Sequence, residues 1–285
     1  MATLPEKALK RLVGMDPFPQ PPVIRTRHPV VLMHGFGILA GLRRGGHLHE
    51  EAMNLRLHGV LAYAPNVASY NTVAVRAEMW KMRLEHVLSE TGADRINLIA
   101  HSMGGLDARL LIAEHGFHAH VTVLATISTP HRGTALAVHM LNQPERLRRW
   151  GVELANWMGE TALEDGTADA QKALVELCPD YMTETFNPAV PDHPDVQYWS
   201  YGGAAGKGTA VPVNPFLRFG NGVIFEHEGP NDGMVSVGSA RWGTFLGTVE
   251  ADHAQQIGLN TLTSHTFDAN AFYLDIVRRM ADAGF

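Results

Sequence analysis

Short apolar runs bounded by turn residues alternate along this chain with stretches whose apolar positions recur every three or four residues. Pro29-Val30-Val31-Leu32-Met33 reads as a buried strand, and Val60-Leu61-Ala62-Tyr63-Ala64 as a second. Asn71 to Glu90 is predicted to be a helix, with Val73, Ala77, Trp80, Leu84 and Val87 on one stripe. Ile96–Ala100 reads as a strand and Met103–His115 as the helix after it. Val121–Ile127 is a further strand, ending at Ser128-Thr129-Pro130-His131-Arg132-Gly133. Val196–Tyr201 alternates as a strand, and a helix from about Asn270 to Met280 closes the chain. Strands alternating with helices predict an α/β fold built on a mostly parallel, doubly wound sheet. Residues 1–28 are Pro-rich and irregular, and the sequence has neither internal repeats nor low-complexity tracts.

Composition narrows the class. The 285 residues, 45% of them apolar, suit one α/β domain (1–285) that carries an insertion, and they supply a sizeable core. A net charge of −6 with scattered Lys and Arg leaves no basic face for nucleic acid. One cysteine, Cys178, excludes an internal disulfide and, with no Cys partners, argues against a cysteine-based zinc site; it reads as a buried spectator. No run approaches the ~20 apolar residues of a membrane span. Met1-Ala2-Thr3-Leu4-Pro5-Glu6-Lys7 contains no apolar signal core, so the expected location is cytoplasmic, or else this is the mature form of a secreted protein.

The chemistry concentrates at Ala100-His101-Ser102-Met103-Gly104. A strand, a serine between small residues and then an amphipathic helix make a nucleophile elbow. The turn is tight, so the residues two before and two after the serine, Ala100 and Gly104, must be small. The Met103 N–H then points at the helix start, where it can meet developing negative charge. Such a serine needs a base and a carboxylate to orient that base. In the α/β-hydrolase arrangement these follow the serine in the order acid, then histidine.

That order prunes sixteen histidines. His253, in the polar loop Glu250-Ala251-Asp252-His253 before the closing helix, is the expected base, with His227 and His265 behind it. Asp232 is the expected acid. Gly229-Pro230-Asn231-Asp232-Gly233 is a tight turn after Val223-Ile224-Phe225, which would place a carboxylate at a strand exit. Asp252 adjoins His253 and diverges from it, Asp195 falls at the wrong end of the sheet, and Glu226 and Glu228 remain alternatives. Met33-His34-Gly35-Phe36-Gly37 follows the first strand as an oxyanion loop, with Phe36 supplying the second N–H and His34 acting as a brace.

With these residues in place, the chain resembles the true triacylglycerol lipases of bacteria and the yeast-type mitochondrial triacylglycerol lipase. The resemblance runs in order through Val31–Gly37, Asn97–Gly105, Ser128–Thr134, Tyr198–Gly203, Asn231–Ser236 and Asp252-His253, spanning about residues 29 to 280. It implies an α/β-hydrolase fold, Ser102, Asp232 and His253 as catalytic triad, and Phe36 and Met103 as oxyanion donors. Two departures stand out. Ala100 opens the elbow where many relatives have Gly, and the turn tolerates either. Bacterial relatives often hold a structural calcium near the histidine loop, but the corresponding positions here, Gln255 and about 210–212, offer no carboxylate. No metal and no cofactor is therefore expected.

Residues 133 to 190 form the insertion, read as a helical lid or cap. Ala135, Leu136, Val138, Met140 and Leu141 make one apolar stripe, and Leu147, Trp150, Leu154, Trp157 and Met158 another. A mobile lid would open onto a lipid surface through these stripes, whereas a fixed cap would use them as core. His47, His49 and His58 lack the pattern of a metal site and read as polar loop. Arg43-Arg44 and Arg146–Arg149 read as solvated faces. The sequence thus predicts a serine carboxylic ester hydrolase acting on ester lipids as a triacylglycerol lipase. A short- or medium-chain carboxylesterase, a polyester hydrolase and an acyltransferase are the alternatives with the same triad. An imidazole base ordinarily titrates near 6.5, so activity should fall below about pH 6.

Overall fold

Alternation of side chains within each strand sets the two faces of the central sheet. The computed structural model describes residues 21–35, 46–68, 71–143, 145, 167–260 and 263–285. Among them, six strands pair in parallel in the order β2-β1-β3-β4-β5-β6. These are β1 (Val30–Met33), β2 (Ala62–Tyr63), β3 (Ile96–His101), β4 (Val121–Ile127), β5 (Gln197–Gly203) and β6 (Thr244–Val249). The helices are α1 (His49–Leu57), α2 (Val73–Thr91), α3 (Gly104–Glu114), α4 (Ala135–Asn142), α5 (Thr167–Glu176), α6 (Arg218–Glu228), α7 (Val237–Ala240) and α8 (Ala269–Asp282), with shorter helical turns between them.

Val31, Met33, Ile96, Leu98 and Leu124 face the side covered by α2 and α3, where they meet Trp80, Leu84, Leu106 and Leu111. Val30, Leu32, Ile99, Val123 and Ile127 face the opposite side, against Leu55 of α1 and Tyr273, Ile276 and Val277 of α8. Burying such side chains contributes roughly 1.5–3 kcal/mol each before conformational entropy is charged against them. The predicted stripe of α2 is the buried one: Val73, Ala77, Trp80, Leu84 and Val87 all face the core. Thr72 caps its N-terminus by accepting from Val75 N, and Gly92, at φ 64°, ends it. Among the described residues no helix is long and apolar enough to cross a membrane.

Four elements differ from the sequence expectation. Residues 218–228 form a helix, so Val223-Ile224-Phe225 does not lead out of a strand. The half-exposed edge strand β6 and the helix α1 were not foreseen, and β2 shrinks to two residues. Cys178 is half-buried, its Sγ 3.5 Å from the Leu174 carbonyl, rather than a core residue.

In the insertion, Leu136 and Met140 of α4 pack on Ile224 of α6, while Val138 of the same predicted stripe is exposed. Farther along, Ala173, Leu177, Met182, Phe186 and Val190 join the core under α2 and α3. The second predicted stripe, Leu147 to Met158, lies outside the described residues, as do Arg146–Arg149 and Arg43-Arg44.

Candidate active site

The C-terminal ends of β1, β3 and β6 lead into Gly35, Ser102 and His253, and Asp232 lies in the turn after α6, at the edge where open α/β sheets present their chemistry. Ser102 follows β3 with φ 57°, a left-handed conformation uncommon for any residue but Gly. Its N–H donates to Ile127 O at 2.9 Å, and its carbonyl accepts from Thr129 Oγ1 at 2.7 Å and Gly105 N at 3.1 Å. Small neighbours make the turn fit. A Cβ on Gly104 would fall 2.8 Å from His34 O, and one on Gly35 would fall 2.5 Å from Ser102 Cβ. The same hypothetical atom on Gly35 would be 2.8 Å from Met103 N, so the loop after β1 closes directly over that amide. Phe36, the expected second donor, lies outside the described residues.

The approach to Gly35 is braced from below. His34 Nε2 accepts from Val67 N at 3.1 Å, so its proton is on Nδ1, which donates to Gly35 O at 3.0 Å. Its ring stacks on His47 at 4.1 Å and lies against Trp80. Burial, then His47 and Arg76, hold His34 well below the ordinary imidazole range and so keep it neutral. The buried Arg76 guanidinium donates to His34 O (2.7 Å) and Ala68 O (2.8 Å) and pairs with Asp107 of α3 (2.8 Å). Trp80 Nε1 donates to the same Asp107 carboxylate. Burial pushes Asp107 up to about 6 against the pull of Arg76, which still leaves it ionised at neutral pH.

Asp232 and His253 meet directly, Nδ1 to Oδ2 at 2.8 Å. The carboxylate can only accept, so Nδ1 carries the proton and Nε2 of the neutral ring keeps a lone pair. The other oxygen, Oδ1, accepts from Met234 N and Val235 N at 3.0 and 2.8 Å, and His253 N donates back to Asp232 O at 3.0 Å. Burial works against the charge of Asp232. The adjacent His253 and the backbone donors outweigh it and hold the carboxyl below its ordinary range. The acid reaches this place from the turn after α6, because Ala205 N, just past β5, donates to Asn231 O. His253 is brought beside the elbow by His101, whose ring centroid lies 4.4 Å from its own.

The remaining sequence candidates are elsewhere. His227 Nδ1 bonds Val223 O within α6, and His265 Nε2 bonds Glu250 O on the surface. Glu226 pairs with Lys207, while Glu228 accepts from Ala135 N and Ser236 Oγ. Asp195 is an exposed neighbour of His193. Asp252 does turn away from the ring: its carboxylate accepts from Asn214 N, Ala254 N and Gln255 N. Three N–H groups converging on that carboxylate disfavour a cation there. Gln255 spends its carboxamide on Asp252 N, Thr263 and His265 O, so the histidine loop does not fit a calcium ion.

His47 is buried against His34 rather than in a polar loop, and among the described residues no group of three His, Cys, Asp or Glu could hold a metal. Sequence reasoning missed His101, Gln256 and the Arg76–Asp107 pair, since only tertiary contacts bring them to the site.

The chain is similar to several known proteins. Residues 70–152 match the PGAP1-like alpha/beta domain. Triacylglycerol lipase 2 of Saccharomyces cerevisiae is 29% identical over 253 residues, covering 81% of this chain and 72% of that protein. A triacylglycerol lipase of Vibrio cholerae is 28% identical, covering 78% of this chain and 76% of its own length. Among solved structures, mature lipase BlEst2 of Bacillus licheniformis superposes with a TM-score of 0.65 at 23% identity, covering 92% of this chain and 96% of that one. With a parallel sheet, flanking helices and homology over most of its length, the chain is an α/β-hydrolase-fold relative of the triacylglycerol lipases.

Proposed function

We propose that this carboxylic ester hydrolase acts as a triacylglycerol lipase through an acyl-enzyme on Ser102, with His253 as base and Asp232 as its orienting acid. The observation that carries the reading is the 2.8 Å bond from His253 Nδ1 to the buried Asp232 carboxylate, beside a serine on a left-handed turn. Ser102 Oγ attacks the acyl carbonyl while His253 Nε2 takes its proton, and Asp232 stabilises the imidazolium. The oxyanion is met by the Met103 amide and by that of Phe36. Collapse of the intermediate releases the alcohol, which takes the proton from His253. Water, deprotonated by the same ring, then frees the fatty acid. No cofactor enters these steps.

A lid function for residues 133 to 190 belongs to the same proposal. A second reading, an esterase with a fixed cap, draws support from the packing of Leu136 and Met140 on Ile224. The deciding experiment compares wild type and Ser102→Ala on p-nitrophenyl esters from short to long acyl chains and on tributyrin and long-chain emulsions. The lipase reading expects long-chain hydrolysis that rises at the interface, and a loss of roughly 10⁴-fold or more in Ser102→Ala. Activity confined to short soluble esters would favour the fixed cap. Wild-type turnover in Ser102→Ala would overturn both.

A further inference from the structure

Two buried polar side chains beside the proposed triad have no part in it. His101, next to Ser102 at the end of β3, packs its ring on that of His253 at 45°. Its Nε2 has no hydrogen-bond partner among the described residues. Gln256, three residues past His253 on the 3₁₀ turn Gln255–Ile257, donates from Nε2 to Asp232 Oδ2 at 3.0 Å, the oxygen that also accepts His253 Nδ1. Its buried Oε1 meets no partner in regular hydrogen-bond geometry among the described residues, and its carboxamide is a polar neighbour of the His101 ring. Gly203 makes the space for this side chain, since a Cβ there would fall 1.9 Å from Gln256 Nε2. Buried polar atoms are seldom left unpaired, so the Gln256 carboxamide beside the His101 ring, each with one atom short of regular hydrogen-bond geometry, requires a reason.

We propose that Gln256 and His101 are coupled positioning residues for His253: the carboxamide ties the Asp232 carboxylate to the His101 ring, and that ring supports the face of the His253 imidazole. The inference rests on the reading of His253 as base. With Oδ1 on two backbone amides and Oδ2 shared between His253 and Gln256, the Asp232 carboxylate cannot rotate. The Gln256 donor also draws on the oxygen that stabilises the imidazolium, and so moderates the basicity of the ring.

His101 must stay uncharged while its neighbour gains a proton, because two cations at this distance repel. Burial and the presence of His253 hold it well below the ordinary imidazole range. The Asp232 carboxylate pulls the other way, and the other ionisable groups nearby are His47 and His34, with Asp252 on the loop that carries His253.

The test uses the full chain as Gln256→Met, His101→Phe and the double variant, assayed on a short p-nitrophenyl ester across pH. Each single variant is expected to lower kcat about 5- to 10-fold with KM within about twofold, the equivalent of one or so lost hydrogen bonds. Each should also move the acid limb of kcat/KM upward by about half a pH unit. Gln256→Met does so by removing the competing donor from Asp232, and His101→Phe by freeing the carboxamide to turn away. The double variant should lose no more than the worse single, because one unit is broken twice.

A merely structural role would lower the thermal midpoint and leave the acid limb in place. Folded single variants with an unmoved acid limb overturn the proposal, as do losses that multiply in the double variant. If one single variant does not fold, the acid limb of the other decides alone. Should Ser102→Ala keep wild-type turnover, the triad reading fails first and the coupling falls with it.

Discussion

Around Asp232 and His253 the fastening is local and largely neutral. Turn amides from Met234 and Val235, the Gln256 carboxamide and the His253 N–H all come from within 24 residues of the acid. Around Gly35 it is long-range and ionic: Arg76 of α2 reaches His34 O while pairing with Asp107 of α3, and His34 is wedged between His47 and Trp80. On the proposed mechanism the first region holds a group that changes charge during turnover, and neutral donors accommodate both states. The second holds a backbone loop whose shape must stay fixed, and a buried ion pair tolerates little displacement. Damage to the first should therefore appear in the chemistry, and damage to the second in the fold.

Asp232→Asn is the strongest way to test the first half. Its amide would present an N–H to His253 Nδ1, force the proton onto Nε2 and leave no base for the serine. The expected loss in kcat is about 10⁴-fold with the thermal midpoint nearly unchanged. A variant that unfolds instead would blur the contrast.

Arg76→Met tests the second half. It strands Asp107 without its partner and releases the His34 and Ala68 carbonyls, at an expected cost of about 3–5 kcal/mol in urea unfolding. A loss below about 1 kcal/mol would show that the ion pair is dispensable.

Acid sharpens the contrast with a smaller effect per pH unit. His34, His101 and His131 are buried and, through burial first and neighbouring imidazole or guanidinium groups second, titrate well below 6.5 in the fold. Below pH 6.5 the unfolded chain binds more protons at these positions than the folded one. Stability is therefore complete above that pH and falls beneath it, by up to about 1.4 kcal/mol per pH unit for each ring. Asp107 runs the other way between 3.8 and about 6, where the folded state carries the extra proton, and it offsets one of the three. Urea midpoints at pH 7.5 and 5.5 should thus differ, while Asp232, held below the ordinary carboxylate range, remains ionised. Equal midpoints would contradict the burial of neutral rings.

The same contrast explains how far the sequence could be read. Ser102, its flanking small residues and the buried stripe of α2 follow from local periodicity and turn sterics, and the structure places these elements close to their expected bounds. The sequence marks Asp232 as a turn carboxylate, but the element before it is a helix and not the expected strand. Three apolar residues cannot distinguish a strand from a helix, and Ile224 is apolar because Leu136 and Met140 pack on it. The edge strand β6 is only half-buried, so Thr244–Val249 carries a weak pattern, further interrupted by Gly247. Gln256, His101, Arg76 and Asp107 carry no local signal at all. A glutamine in a short turn or a charge inside a helix gains its role only when distant segments meet.

The left-handed backbone at Ser102 has a consequence for how this chain can change over time. An L-residue in that conformation forgoes roughly 1–2 kcal/mol that glycine would recover. Replacement by glycine at this position is therefore rewarded by relief of backbone strain, whereas any other residue that discards the hydroxyl keeps the strain. Under selection for thermal robustness alone a glycine would be favoured here, so on the proposed mechanism the serine is kept for its hydroxyl.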